Sequence, residues 1–162
     1  MLLRTMDMSK GARKIVETCA GIKAGEKVLI VTDTGIAFSI TEALASAAAG
    51  LGAETAVIVT SPGKKPGEEP NPVVAAAMLG ADVIISPTTR TIFHSQATTK
   101  ALANGARLLS LTEVTEKILI SGGIDADFIA LQPRVKKLRE IFEQGSKVHI
   151  TTKDGTDIYL DI

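Results

Sequence analysis

The side chains best suited to chemistry lie in one polar stretch, Ser86-Pro87-Thr88-Thr89-Arg90-Thr91-Ile92-Phe93-His94-Ser95. Hydroxyls, a guanidinium and an imidazole at a helix start can hold a carboxylate or another anion. The first-turn N–H groups there have no intrahelical partner, and the helix dipole is positive. Asp33 and Thr34 follow the apolar run Val28-Leu29-Ile30-Val31 and are expected to open onto the same edge. The candidate ligand or interface residues are therefore Asp33, Thr34, Thr88, Thr89, Arg90 and His94. The competing reading is an ordinary capped loop with Ser95 as helix N-cap.

Other reactive groups are sparse. The only histidines are His94 and His149, the only cysteine is Cys19, and no His-x-Asp, His-Glu-x-x-His or Cys-x-x-Cys spacing occurs. Those spacings are what bring ligands together on a metal. His149 falls on the polar side of an alternating run and reads as solvated, and Cys19 falls on an apolar helical stripe and reads as a buried, inert thiol. Asp125 and Asp127 read as caps at a helix start rather than as an acid/base pair. The turn Thr32-Asp33-Thr34-Gly35 is not a Gly-x-Gly-x-x-Gly fingerprint, and Gly63-Lys64-Lys65-Pro66-Gly67 lacks the Gly-Lys-Ser/Thr ending of a P-loop. No Gly-x-Ser-x-Gly elbow is present. No catalytic, cofactor-binding or metal-ligating residue is therefore assigned to this chain.

The elements that must position these residues alternate between helical and strand-like periods. Helical stripes are expected over 9–21, 36–51, 72–80, a segment ending near 105, 112–121 and 125–144. Apolar runs at 27–32, 53–60, 81–86 and 106–111 suit strands, and unbroken runs such as 28–31 suit strands buried on both faces. Pro133 removes a backbone donor, so a break or a fresh helix start is expected there. Residues 61–72 hold four prolines and two glycines and read as an exposed loop. Val148, Ile150 and Thr152, then Ile158, Leu160 and Ile162, alternate with polar residues around Lys153-Asp154-Gly155-Thr156, a hairpin signal. The expected fold is α/β, a Rossmann-like or flavodoxin-like three-layer sandwich: a mainly parallel sheet with right-handed crossovers and a C-terminal antiparallel hairpin at the edge. The order of the strands stays open between the two doubly wound arrangements.

With 162 residues, 18 basic against 18 acidic, the composition suits one compact domain, 1–162, and gives no case for nucleic acid or an anionic membrane surface. No run approaches the ~20 apolar residues of a membrane span. A lone cysteine rules out an internal disulfide, and cytoplasmic localisation is expected.

With the elements placed, the sequence resembles the N-terminal domain of the aminopeptidase T-type family. These are thermophilic leucyl aminopeptidase-like metallopeptidases, a group that also resembles 2,5-dihydroxypyridine dioxygenases. The residues that carry the resemblance are Gly25-Glu26-Lys27-Val28-Leu29-Ile30-Val31-Thr32-Asp33 and Ala81-Asp82-Val83-Ile84-Ile85-Ser86-Pro87-Thr88. They are followed by His94-Ser95, Gly105-Ala106-Arg107, Ile124-Asp125-Ala126-Asp127-Phe128 and Gly155-Thr156-Asp157-Ile158. Their order spans nearly the whole chain.

The resemblance implies a parent about twice this length, in which a divalent metal and the catalytic groups belong to a C-terminal domain. An apolar strand running to Ile162 agrees with truncation. This chain is then an N-terminal structural or assembly domain, inactive alone, with its own C-terminal domain as partner. The parent is a metal-dependent aminopeptidase or, alternatively, an iron-dependent ring-cleaving dioxygenase. A third reading is a stand-alone binding or oligomerisation module, in which the terminal hairpin pairs with another copy by strand addition.

Overall fold

Val28, Leu29, Ile30 and Val31 are each no more than 4% exposed, which places β1 (Lys27–Asp33) inside a sheet rather than at its edge. The computed structural model describes residues 2–162, with side chains from Thr5 onward. By its contacts the chain divides into two units, Met1–Ala126 and Asp127–Ile162. In the first unit β1 pairs in parallel with β2 (Glu54–Thr60) on one side and with β3 (Val83–Ser86) on the other. Beyond β3, β4 (Arg107–Ser110) is parallel as well, which gives the order β2-β1-β3-β4. This is the flavodoxin-like arrangement of the two that the sequence left open.

Successive strand residues face opposite sides, and two cores follow from that alternation. Val28, Ile30, Val83 and Ile85 pack with Met8, Ala12, Val16, Ile40, Leu44 and Leu119. These come from α1 (Leu2–Lys14) and the π-helical turn after it (Ile15–Cys19), α2 (Phe38–Gly50) and α5 (Glu116–Ile120). Leu29, Val31 and Ile84 pack on the other face with Val74, Met78, Ala97 and Ala101 from α3 (Pro72–Leu79) and α4 (Gln96–Ala103). Helices on both faces of one parallel sheet make the expected three-layer sandwich. Among the described residues no helix is long and apolar enough to cross a membrane.

Two local expectations for the first unit change. The first helix begins at Leu2 rather than near residue 9, and its buried stripe takes in Met8. Cys19 is exposed, since the π-turn shifts the register of the stripe on which it was placed. Gly11 supplies the close contact between α1 and α5: a Cβ there would lie 1.9 Å from the Leu119 carbonyl oxygen.

The second unit holds α6 (Phe128–Gln144) and the strands β5 (Lys147–Thr151) and β6 (Asp157–Asp161). Asp127 caps α6 by accepting the Ala130 N–H at 2.9 Å. Pro133 does not break this helix; near its start it removes one backbone bond, and the turns on either side continue. The antiparallel hairpin turns at Gly155 (φ 97°) and forms a two-stranded sheet of its own. His149 is not simply solvated, for its ring stacks on Tyr159 at 3.9 Å and its Nε2 lies 2.7 Å from Asp157 Oδ1.

Candidate functional site

From β1 the chain crosses first to β2 on one side and later to β3 on the other. The loops leaving the carboxyl ends of β1 and β3 therefore diverge, and open α/β sheets bind ligands in the crevice so formed. Asp33 closes β1 at this point. It is 3% exposed, and its carboxylate is fully engaged. Oδ1 accepts the Gly35 N–H at 2.9 Å, and Oδ2 accepts both the Thr89 N–H at 2.7 Å and the Thr89 hydroxyl at 3.0 Å. Asp33 thus bolts the loop after β3 to the end of β1. Gly35 allows the close approach, since a Cβ there would lie 2.5 Å from Thr89 Cγ2. Thr34 turns toward β2, and its N–H donates to the Thr60 carbonyl at 3.1 Å.

A cavity of about 180 Å³ lies over this junction, walled by Val31 and Asp33, by parts of the 60–71 loop, and by Thr88, Arg90, Thr91 and Ile92. Of the residues singled out in the sequence, Asp33, Thr88 and Arg90 line it. Thr89 and Arg90 border a neighbouring groove with Glu113, which Arg90 Nη1 meets at 3.2 Å. Thr34 and His94 do not line the cavity. His94 is exposed and meets Phe93 edge to face, ring centroids 5.2 Å apart.

Sequence reasoning missed the 60–71 loop as a wall of the site, together with Lys64 and Lys65 on it. Its prolines signalled an irregular segment, but nothing local says that it folds back over β1. The same loop alters the expected anion site at the α4 N-terminus. Glu69 accepts the N–H groups of Gln96 and of Ala97 (3.2 Å), and Ser95 Oγ caps the Thr98 N–H at 3.1 Å. The helix start is filled from within the chain, with Ser95 as the expected cap.

The clearest perturbations of charge lie at the opposite end of the sheet. Arg107 grips Glu26 through both guanidinium nitrogens, at 3.0 and 2.8 Å. Those bonds, against some opposing burial, hold the Glu26 carboxyl below the usual carboxylate range. Partial burial pushes the Cys19 thiol up, more than nearby Lys14 pulls it down. Among the described residues no three His, Cys, Asp or Glu side chains are grouped to hold a metal ion.

Residues 7–162 match the family described as NicX, 2,5-dihydroxypyridine 5,6-dioxygenase. Among solved structures, the 2,5-dihydroxypyridine dioxygenase from Pseudomonas putida KT2440 superposes with a TM-score of 0.73 at 16% identity, covering 98% of this chain and 48% of that one. AmpT from Thermus thermophilus superposes with a TM-score of 0.58 at 13% identity, covering 97% of this chain and 53% of that one. At these identities the two structures share a fold with this chain, which spans about half the length of each. No curated protein matches by sequence.

Proposed function

The chain belongs to the NicX family, 2,5-dihydroxypyridine 5,6-dioxygenase, and on that premise we propose that it is the scaffold half of a metalloenzyme of this group. The metal ligands and catalytic groups would lie on polypeptide outside these 162 residues. The observation that carries the reading is coverage: nearly all of this chain lies on about half of two larger proteins.

In such an enzyme the bound metal would supply either ring-cleaving oxygen chemistry or an activated water for amide hydrolysis. The residues of this half would brace the fold and present one wall of a cleft. Both chemistries stand, because this half carries the fold that the two relatives share. A lone unpaired cysteine suits a reducing cytoplasm.

Two assays on the purified protein test the reading. Supplied with ferrous or zinc ions, it is expected to consume no 2,5-dihydroxypyridine and to hydrolyse no leucyl amide. Turnover of either substrate that a chelator abolishes would overturn the proposal. The intact mass of the native product in its source cells is expected near twice 16.9 kDa. A mass matching 162 residues would show that no second half is attached.

A further inference from the structure

The two edges of the parallel sheet are built differently. β4 is four residues long, starts on the charge of Arg107, and its remaining residues are half-buried. At the other edge, β2 runs for seven residues, Glu54-Thr55-Ala56-Val57-Ile58-Val59-Thr60. It has one charge, at its first residue, no proline or lysine, and no bulge in its register with β1. Short length, charges, prolines and bulges keep edge strands from pairing with another chain, and the centre of β2 has none of them. The direction of the backbone fixes which groups β2 leaves open. The Glu54 N–H donates to the Glu26 carbonyl at 2.9 Å, and the Thr60 carbonyl accepts the Thr34 N–H at 3.1 Å. The even-numbered residues therefore turn their backbone groups toward β1, and those of Thr55, Val57 and Val59 point away from the sheet. The flanks of this edge are apolar. Val57 and Val59 are 38% and 49% exposed on one face. On the other, Ala56 and Ile58 line an open groove with Ala77, Gly80 and Ala81 at the end of α3.

We infer that β2 pairs antiparallel with β2 of a second copy of this chain, about a two-fold axis through Val57, joining two four-stranded sheets into one. Val57 is the central residue of the strand, and the outward residues Thr55 and Val59 lie evenly about it. The axis sets Val57 opposite the partner's Val57 and Thr55 opposite the partner's Val59, all pairs of the hydrogen-bonded kind. Ala56 then meets the partner's Ile58 and Glu54 the partner's Thr60, so no like charges are opposed. A register shifted by one residue would set open groups against groups already bonded to β1. A shift by two would leave Val59 of each copy beyond the partner strand. The contact is isologous, so one surface serves both copies and the assembly closes as a dimer. Seven residues run about 23 Å, and helices about 10 Å in diameter on both faces make the edge about 25 Å across. That is about 600 Å² per copy, or about 1,200 Å² in all, the low end for specific interfaces. The dimer is accordingly a weak one, with an expected dissociation constant of about 1–100 μM.

Sedimentation velocity on the purified chain from about 1 to about 300 μM measures the association. A monomer–dimer equilibrium is expected, and Val57→Lys should raise its dissociation constant about tenfold or more, because two like charges then meet at the axis. The position is partly exposed and lysine can turn its head to water, so the dilute variant should melt as the parent does. Val57→Pro removes an outward N–H and none of the bonds to β1, and should weaken the dimer as well. Leu160→Lys, an exposed position on the hairpin, should leave the constant unchanged. Hydrogen exchange read residue by residue gives a signature that needs no variant. At the highest concentration the Thr55, Val57 and Val59 amides should exchange about tenfold or more slower than at the lowest, while Ala56 and Ile58 keep their rates. The inference is overturned by a chain that stays monomeric at about 300 μM, which leaves the edge to another occupant. It is equally overturned by a dimer that Leu160→Lys dissolves and Val57→Lys does not, or by one in which the three outward amides exchange as in the monomer. Turnover decides the scaffold reading and association does not, so the two fail separately.

Discussion

Replacing Asp33 by asparagine separates a bolt from a ligand contact. The carboxylate receives three hydrogen bonds, two at Oδ2 from Thr89 and one at Oδ1 from Gly35, in a site 3% exposed. Asparagine keeps one acceptor oxygen and turns the other into an NH2. With its oxygen toward Thr89 it keeps two bonds and sets NH2 against the Gly35 N–H; with its oxygen toward Gly35 it sets NH2 against the Thr89 N–H, while the Thr89 hydroxyl can turn to accept from it. Bonds to an ionised group contribute about 1.5–3 kcal/mol and neutral ones about 1, so one lost bond and weakening of the rest cost about 2–4 kcal/mol. For a chain of this size that lowers Tm by roughly 5–15 °C. Urea unfolding followed by far-UV circular dichroism measures the cost, since the chain has no tryptophan and a single tyrosine. Hydrogen exchange at the Gly35 and Thr89 amides should accelerate in parallel. A variant within about 0.5 kcal/mol of the parent, the range of an ordinary surface change, would refute the reasoning and return Asp33 to the role of a ligand contact.

Gly11→Ala should destabilise by about 1–3 kcal/mol, as overpacking does, although alanine favours helix, because its Cβ would meet the Leu119 carbonyl oxygen at 1.9 Å. Equal or higher stability in a thermal melt would show that α5 yields freely. Arg107→Met should cost about 1 kcal/mol near neutral pH, as expected for a partly exposed pair with good bidentate geometry. Glu26 has a depressed folded pKa, so its contribution is present above the unfolded glutamate value of about 4.3 and is lost as pH falls through the folded value. The gap between parent and variant in chemical denaturation should therefore close on acidification below that point; a constant gap refutes the assignment. Cys19, exposed but with its thiol pKa raised by partial burial, should react with a disulfide reagent at pH 7.5 more slowly than a free cysteine. A rate above that of free cysteine contradicts this picture.

Much of the fold was legible because its causes are local. Unbroken apolar runs such as Val28–Val31 and Val83–Ile85 suit strands covered on both faces. The Asp154-Gly155 turn needs a positive φ that glycine adopts without strain, and Ser95 and Asp127 cap helices three residues ahead of them. Each outcome depends on sterics and hydrogen bonds within a few residues, and the chain order records those directly.

The site was legible only in outline. Asp33, Thr88 and Arg90 could be placed at the carboxyl edge of the sheet, because parallel strands bring every following loop to that edge. What each one does there was decided by partners far away in sequence. Asp33 meets Thr89 across 56 positions and Glu69 reaches Gln96 across 27, and neither separation leaves a periodic trace. The strand order that puts β1 beside β3, the fold-back of the 60–71 loop and the approach of Leu119 to Gly11 are likewise products of global packing. Local propensity selects the elements; the free energy of burying both faces of the sheet selects their neighbours. A side chain's neighbours determine whether it is a bolt, a cap or an open donor.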